Sequence, residues 1–240
     1  MTSLRDWTSA RVELGVAGHA CPTEPSLELR WAQARARDAV HAPLDTGSLN
    51  AVLAERGWPS ETLHSQARSR AEYLRRPDLG RVLSQDSRQF AAKFKGKCDV
   101  AFILADGLSA RAVERHAASL LEAVFASGVN TPDDARPLWI VERGRVAIGD
   151  AIGELIGAAI AVMLIGERPG LSSPDSLGIY LTWAPRSGRT DAERNCISNI
   201  HAHGLSYASA AHRLGFLLQE ARSRKLSGVQ LKNTAPLLLP

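Results

Sequence analysis

The amino-acid sequence predicts an α/β protein whose core is a doubly wound, mainly parallel sheet. From residue 98 onwards, apolar runs of strand length alternate with segments whose apolar residues recur at helical spacing. This alternation is typical of parallel sheets, because two parallel strands are joined by a crossover that is usually a helix. A chain of 240 residues is also long enough to bury a full core.

Residues 1–97 lack this alternation and are predicted to be a helical and irregular region that packs on the core and on a partner. Ser26 is expected to cap a helix over residues 27–40, and a second short helix is expected over residues 49–56. The arginine-rich stretch 68–88 is interpreted equally well as a solvated connector.

Residues 98–233 are predicted to form the main domain. Its strands are expected at residues 99–105, 137–141, 160–165 and 177–184, with a short last strand at 229–231. Three helices are expected between the strands. The first is capped by Ser109 and closed by Gly128, and the others cover residues 146–156 and 205–225. Residues 234–240 form an apolar, proline-bounded tail that is either disordered or packed against a neighbouring surface.

Composition excludes several classes of protein. Hydrophobic content of 45% and charged content of 22% are ordinary for a globular protein. No apolar run reaches the roughly 18 residues of a membrane span, and the first residues lack the apolar core of a secretory signal, so a cytoplasmic location is expected. The net charge of +4 arises entirely within residues 1–97, and this mild basic bias fits docking to an acidic protein surface at least as well as phosphate binding.

Sequence motifs exclude further functions. Cys21, Cys98 and Cys196 lie far apart, which argues against a disulfide framework or a thiolate zinc site. The chain lacks a Gly-x-Gly-x-x-Gly motif and a phosphate-binding Gly-x-x-x-x-Gly-Lys motif, so common dinucleotide and nucleotide sites are not expected. The Gly-x-Ser-x-Gly motif of hydrolases is also missing.

Residues 159–200 carry the strongest indication of a ligand site. Glu167 directly follows the apolar strand 160–165, and loops at the carboxyl ends of strands line the ligand crevice of α/β sheets. Its carboxylate is interpreted either as an acceptor for amide or hydroxyl donors of a ligand, or as a surface ion pair or turn residue. Asp106 holds the equivalent place after strand 99–105, with the same two interpretations.

Cys196 is the second candidate in this stretch. Thr190 and Glu193 have capping-box spacing, which predicts a helical turn with Asn195 and Cys196 at its end. The thiol is interpreted more readily as a small buried apolar group than as a nucleophile. His201 follows closely, but nearness in sequence says little, because the fold usually brings a nucleophile and its base together.

Several segments resemble the small subunit of adenosylcobalamin-dependent ethanolamine ammonia-lyase, and the resemblance covers nearly the whole chain. The matching segments are GRVAIGDAIGELIG (144–157), LIGERPGLSSPDSLG (164–178), RTDAERNCISNI (189–200), DGLSA (106–110), RRPDLGRVLS (75–84), RVELGVAG (11–18) and ARARDAVHAPLD (34–45). The block of residues 164–200 is highly specific.

The resemblance implies a non-catalytic, cobalamin-binding subunit with a Rossmann-like core. In this family, adenosylcobalamin lies between the small subunit and the barrel of a large subunit, and radical chemistry converts ethanolamine to acetaldehyde and ammonia. Substrate-binding residues belong to the large subunit, so no catalytic residue is assigned in this chain. The family's cofactor contacts fall on Val146, Glu167 and Cys196, in a hetero-oligomer with several copies of each subunit.

The resemblance also implies that cobalt keeps the cofactor's own benzimidazole as its lower ligand, which is the base-on form. Proteins that replace this base use an Asp-x-His-x-x-Gly motif, whereas residues 199–204 read Asn-Ile-His-Ala-His-Gly. Asn199 cannot supply the negative charge that raises the basicity of a ligating histidine. His201 is therefore not expected to bind cobalt, and no protein ligand to a metal is predicted.

Two alternatives remain open at this point. One is an independent thiol hydrolase or transferase that uses Cys196, and the other is a purely structural subunit that orders the large subunit without touching cobalamin. Family members packed into bacterial microcompartments can carry extra N-terminal sequence. Because only ten residues precede residues 11–15 here, encapsulation is left open.

Overall fold

The computed structural model describes residues 3–8, 10–96, 98–129, 132–133 and 136–235. Within these residues a six-stranded sheet has the order β1-β3-β2-β4-β5-β6. The strands are β1 (Ser60–His64), β2 (Cys98–Ala105), β3 (Leu138–Glu142), β4 (Ala158–Gly166), β5 (Leu177–Trp183) and β6 (Arg194–Ile200). The first four strands in the sheet are parallel to their neighbours, and β5 and β6 add as antiparallel strands.

Seven helices accompany the sheet in the described residues. They are α1 (Thr23–His41), α2 (Thr46–Ala54), α3 (Arg70–Arg75), α4 (Gln85–Ala91), α5 (Ala110–Ala126), α6 (Ile148–Ile156) and α7 (Tyr207–Arg224). Single 3-10 turns occur at Leu4–Asp6, Leu79–Arg81, Ala92–Phe94, Asp191–Glu193 and Gly228–Gln230. No helix in the described part of the chain has the length and apolar character needed to cross a membrane.

The predicted α/β class is confirmed, but the sheet is mixed. The expectation of a parallel sheet fails after β4, because residues 167–176 form a loop instead of a helix and the chain returns as an antiparallel strand. A Rossmann-like, doubly wound fold stays a prediction. The predicted strands at residues 99–105, 137–141, 160–165 and 177–184 correspond to β2, β3, β4 and β5.

Two strands were missed, and one was wrongly predicted. β1 lies in the region predicted to be helical and irregular, and Leu63 is its only buried residue. The helical turn predicted from the Thr190 capping box is observed as the 3-10 turn Asp191–Glu193, but Asn195 and Cys196 lie in β6, which follows it, and not at the end of a helical turn. The strand predicted at 229–231 is instead the 3-10 turn Gly228–Gln230.

The stretch 68–88 is not a solvated connector. It contains α3, a 3-10 turn and most of α4, and the Tyr73 ring is fully buried. The helices predicted at 27–40, 49–56, 146–156 and 205–225 are observed as α1, α2, α6 and α7, with shifted ends. Gly128 follows α5 with a φ of +91°, as expected for a residue that ends a helix. Most of the predicted tail, residues 236–240, lies outside the described residues.

The sheet has a different cover on each face. On one face, α5 and α7 pack against β2, β4, β5 and β6 and enclose the larger apolar core. On the other face, α6 packs mainly on β2 and β4 and closes a second core with α4 and the Ala92–Phe94 turn. On this second face, Thr182 of β5 and Arg194 of β6 are buried, whereas Cys196 is exposed to solvent, so the sheet has an open face around Cys196.

Candidate functional site

The crevice at the carboxyl ends of β2 and β3 is filled by the protein itself. The chain leaves these neighbouring strands toward opposite faces of the sheet, a geometry that opens a ligand crevice in many α/β proteins. Here Arg70 enters from α3, and its Nη1 donates to Asp106 Oδ2 at 2.9 Å, while the Tyr73 hydroxyl donates to the Gly144 carbonyl at 3.0 Å. Side chains of α3 therefore occupy this crevice.

Asp106 is a buried structural carboxylate. Besides Arg70, it accepts a hydrogen bond from the Gly144 amide at 3.1 Å, and it is almost completely buried. Burial raises the pKa of Asp106 to about 6, although Arg70 and the Gly144 amide act in the opposite direction. Of the two interpretations of Asp106, the structure supports the ion pair.

Glu167 lies across the end of the sheet, with its side chain over the neighbouring strand. Its amide donates to the Ser176 carbonyl at 2.9 Å. Its Oε2 accepts from the Ser176 hydroxyl and from the Asn199 amide at 3.2 Å. A Cβ atom added to Gly178 would lie 2.8 Å from Oε1, so the carboxylate rests on the bare backbone of β5. Among the described residues, these hydrogen bonds use Oε2 and leave Oε1 as an acceptor.

Cys196 lies beside this carboxylate on the open face. Tyr180 of β5 and Cys196 of β6 are direct cross-strand partners, so both side chains lie on the same face of the sheet. Burial raises the pKa of the Cys196 thiol, and Glu167 raises it further, while a hydrogen bond with Tyr180 acts in the opposite direction. The residue as a whole is exposed, so the expectation of a small buried apolar group was wrong.

Val146 lies at the other border of this face. It precedes α6, and its carbonyl accepts the Gly149 amide at 3.1 Å, which starts the helix. The Val146 side chain packs against the same apolar cluster as Tyr180. The structure thus brings Glu167 and Cys196 together and places Val146 on the same side of the sheet.

Sequence reasoning missed three residues that shape this face. Ser176 donates a hydrogen bond to Glu167, and Gly178 leaves space for the Glu167 carboxylate because it has no side chain. Tyr180 forms a hydrogen bond with the Cys196 thiol. The local sequence carries only a weak signal for them, namely a glycine inside an apolar strand, which often marks a close approach. The pairing of Tyr180 with Cys196 depends on the register of two strands.

The face offers acceptors and apolar surface rather than acid–base chemistry. Its side chains are one carboxylate, one thiol, one phenol and one valine, and the described residues contain no group of three or more potential metal ligands. His201 Nε2 lies 2.9 Å from Asn199 Oδ1 and 3.2 Å from Ser173 Oγ, so its ring is engaged within the chain. Such a face can hold a large, mostly neutral ligand that carries amide donors.

A partly open cavity of about 550 Å³ lies at the opposite end of the sheet. It is lined by the first residues of β2 and β3 and by α6 and α7 residues, and it includes none of the three predicted cofactor contacts. Its position at the amino ends of the strands separates it from Glu167, which follows the carboxyl end of β4. We therefore build the candidate site on the open face and not on this cavity.

Comparison with known sequences decides the family. The sequence model of the ethanolamine ammonia-lyase light chain matches residues 1–232.

The chain belongs to the ethanolamine ammonia-lyase light-chain family.

Individual members of the light-chain family support this assignment. The chain is 55% identical to the ethanolamine ammonia-lyase small subunit of Xanthomonas campestris pv. campestris, covering 98% of this chain and 89% of that protein. It is 54% identical to the small subunit of Ralstonia nicotianae, over 98% and 90% of the two chains. It is 53% identical to the small subunit of Pseudomonas paraeruginosa, over 97% and 86%. The family resemblance expected from residues 144–157, 164–178 and 189–200 is confirmed.

Membership of the light-chain family makes a thiol enzyme that uses Cys196 the weaker alternative. The reactivity of the Cys196 thiol tests this alternative. Because burial raises its pKa, less thiolate is present at neutral pH, and we expect iodoacetamide to alkylate Cys196 more slowly than free cysteine. Mass spectrometry of the Cys196 peptide measures the rate, with Cys196→Ser as the blank. A rate above that of free cysteine would indicate an activated nucleophile.

Proposed function

We propose that this chain is the cobalamin-binding small subunit of an ethanolamine ammonia-lyase. The expected partner is the large subunit, in a hetero-oligomer with several copies of each. The reaction of the complex is the conversion of ethanolamine to acetaldehyde and ammonia. The observation that carries the proposal is the Glu167 carboxylate, which lies over Gly178 of β5 beside Tyr180 and Cys196 and whose internal hydrogen bonds use Oε2.

The residues on this face fit the chemistry of cobalamin. That cofactor has a broad apolar ring, many neutral amides and one phosphodiester, so it suits apolar side chains and a few acceptors better than a strongly basic cleft. Val146 and Tyr180 supply apolar surface, and Glu167 supplies an acceptor for an amide donor. The bound cofactor supplies homolysis of its cobalt–carbon bond, which starts radical chemistry on the substrate.

In this proposal the chain's own residues bind, orient and exclude water. Glu167 fixes the orientation of an amide, and Cys196 and Val146 contact the ligand on either side. A base-on cofactor is consistent with His201, whose ring is already hydrogen-bonded to Asn199 and Ser173. We assign the cofactor face to residues 98–233, and residues 1–97 to packing on the core and the large subunit. A cytoplasmic location, inside or outside a bacterial microcompartment, stays a prediction.

Substitution of Glu167 tests the function directly. In the complex co-expressed with its large subunit, we expect Glu167→Ala to weaken cyanocobalamin binding about tenfold, as for loss of one hydrogen bond to a charged group. Glu167→Gln is expected to weaken it less, because the amide keeps one acceptor oxygen. Equilibrium dialysis measures the dissociation constant, and gel filtration checks that the complex assembles.

Glu220→Ala is the matched control. Glu220 is a partly exposed glutamate on α7, which packs on the opposite face of the sheet, so its removal is expected to leave cobalamin affinity unchanged. Unchanged affinity in Glu167→Ala, with assembly intact, would favour the purely structural subunit.

A further inference from the structure

We propose that Asp175 is a positioning residue, which sets the orientation of Glu167 by anchoring the loop of residues 167–176 to α5. The inference rests on the proposed function, because it concerns the carboxylate through which we expect cobalamin to bind. Asp175 does not reach the open face itself. It acts through its neighbour Ser176.

The loop depends on its two ends for the placement of Glu167. Residues 167–176 contain no helix or strand, so no repeating backbone ladder holds them. The two ends of the loop are instead joined to each other. The Glu167 amide donates to the Ser176 carbonyl at 2.9 Å, and the Ser176 hydroxyl donates to Glu167 Oε2. The position of Ser176 therefore decides where the carboxylate points.

The residues just before Ser176 are attached to the start of α5. Arg115 Nη1 donates to Asp175 Oδ2 at 2.6 Å, and the Ser109 hydroxyl donates to the Pro174 carbonyl at 3.0 Å. Burial acts to raise the pKa of Asp175, but Arg115 and His116 outweigh it, so the pKa lies below its usual value. Asp175 is thus held in its charged form.

His116 adds a second, buried support for Asp175. Its ring is only 6% exposed, with Nε2 3.6 Å from Asp175 Oδ2 and Nδ1 2.7 Å from the Tyr207 hydroxyl of α7. Burial is the main cause that lowers the pKa of His116, which favours the neutral ring. The assignment consistent with both neighbours has Tyr207 donating to Nδ1 and the Nε2 proton directed at Asp175. Tyr207 of α7 thereby orients the His116 ring, whose Nε2 faces the loop carboxylate at 3.6 Å.

This anchoring has a consequence for ligand binding. A carboxylate that is already oriented loses less conformational freedom when a ligand donates to it, so the ligand binds more tightly. Without the anchor, Ser176 and Glu167 would sample several positions. We therefore expect Asp175 to contribute to cobalamin affinity only as long as Glu167 is present.

The test is a double-mutant cycle in the complex with the large subunit, with cyanocobalamin as the probe. We expect Asp175→Asn to raise the dissociation constant about fivefold in the wild-type background, and to have no further effect in a Glu167→Ala background, where the acceptor is absent. Arg115→Met removes the same ion pair from the helix side and is expected to behave alike. Arg222→Met, which breaks an ion pair of equal 2.6 Å length with Asp99, is the control.

Each outcome separates the inference from the proposed function. If Glu167→Ala weakens binding but Asp175→Asn and Arg115→Met do not, the inference fails and the cofactor face stands. An equal effect of Asp175→Asn in both backgrounds would also overturn it, because Asp175 would then act independently of Glu167. If neither Glu167→Ala nor Asp175→Asn weakens binding, the proposed function itself fails.

Discussion

Replacement of Arg194 by methionine is expected to lower the free energy of unfolding by about 3–5 kcal/mol. The Arg194 side chain is 2% exposed and pairs with Asp150 of α6, whose side chain is 3% exposed. Arg194 also donates to Asp191 Oδ1 at 2.7 Å and to the Arg189 carbonyl at 2.8 Å. Without the guanidinium, Asp150 remains buried without its ion-pair partner, and the contact between α6 and β6 is weakened.

Denaturant unfolding of the full chain measures this loss, and an exposed ion pair provides the control. Arg222 and Asp99 also form a short pair, but their side chains are 41% and 47% exposed, so Arg222→Met is expected to cost less than about 1 kcal/mol. Burial raises the pKa of Asp150 even beside Arg194, so loss of Arg194 is expected to raise this pKa further. A loss no larger than that of Arg222→Met would mean that this buried pair contributes little.

Replacement of Gly166 by alanine is expected to destabilise the protein by about 3 kcal/mol and to weaken cobalamin binding. A Cβ atom at this position would lie 2.0 Å from the Ser109 carbonyl oxygen and 2.6 Å from the Asp106 carbonyl oxygen. Both are backbone atoms, which cannot rotate away, so the start of α5 must move. Because Glu167 is the next residue, the same movement displaces the proposed cofactor acceptor.

Gly215→Ala is the matched control and has the opposite expected sign. Gly215 lies inside α7, and a Cβ atom there would meet nothing within 4 Å. Alanine favours the helix over glycine, so we expect a gain of roughly 0.5–1 kcal/mol. Thermal unfolding and cobalamin affinity are measured for both variants. A Gly166→Ala protein with wild-type stability and affinity would show that the contact between the end of β4 and the start of α5 adjusts to the added methyl group.

The local sequence pattern predicted the elements that are buried along one face or on both faces. β2 and β4 are almost entirely apolar because helices cover both faces, and α5 has a clear apolar stripe. β6 gave no such signal, because its sequence RNCISNI is exposed along one face and its polar residues resemble a turn. β1 was not predicted for a related reason, since it lies at the edge of the sheet and has one buried residue.

The sequence by itself determined the family and the three candidate residues Val146, Glu167 and Cys196, because each lies in a contiguous motif. Only the tertiary structure decided how the site is built. Arg70 and Asp106 are 36 residues apart, yet their contact closes the crevice that the fold would otherwise offer to a ligand. The pairing of Tyr180 with Cys196 likewise follows from the register of two antiparallel strands. Such contacts depend on which strands become neighbours, and local periodicity carries no information about that choice.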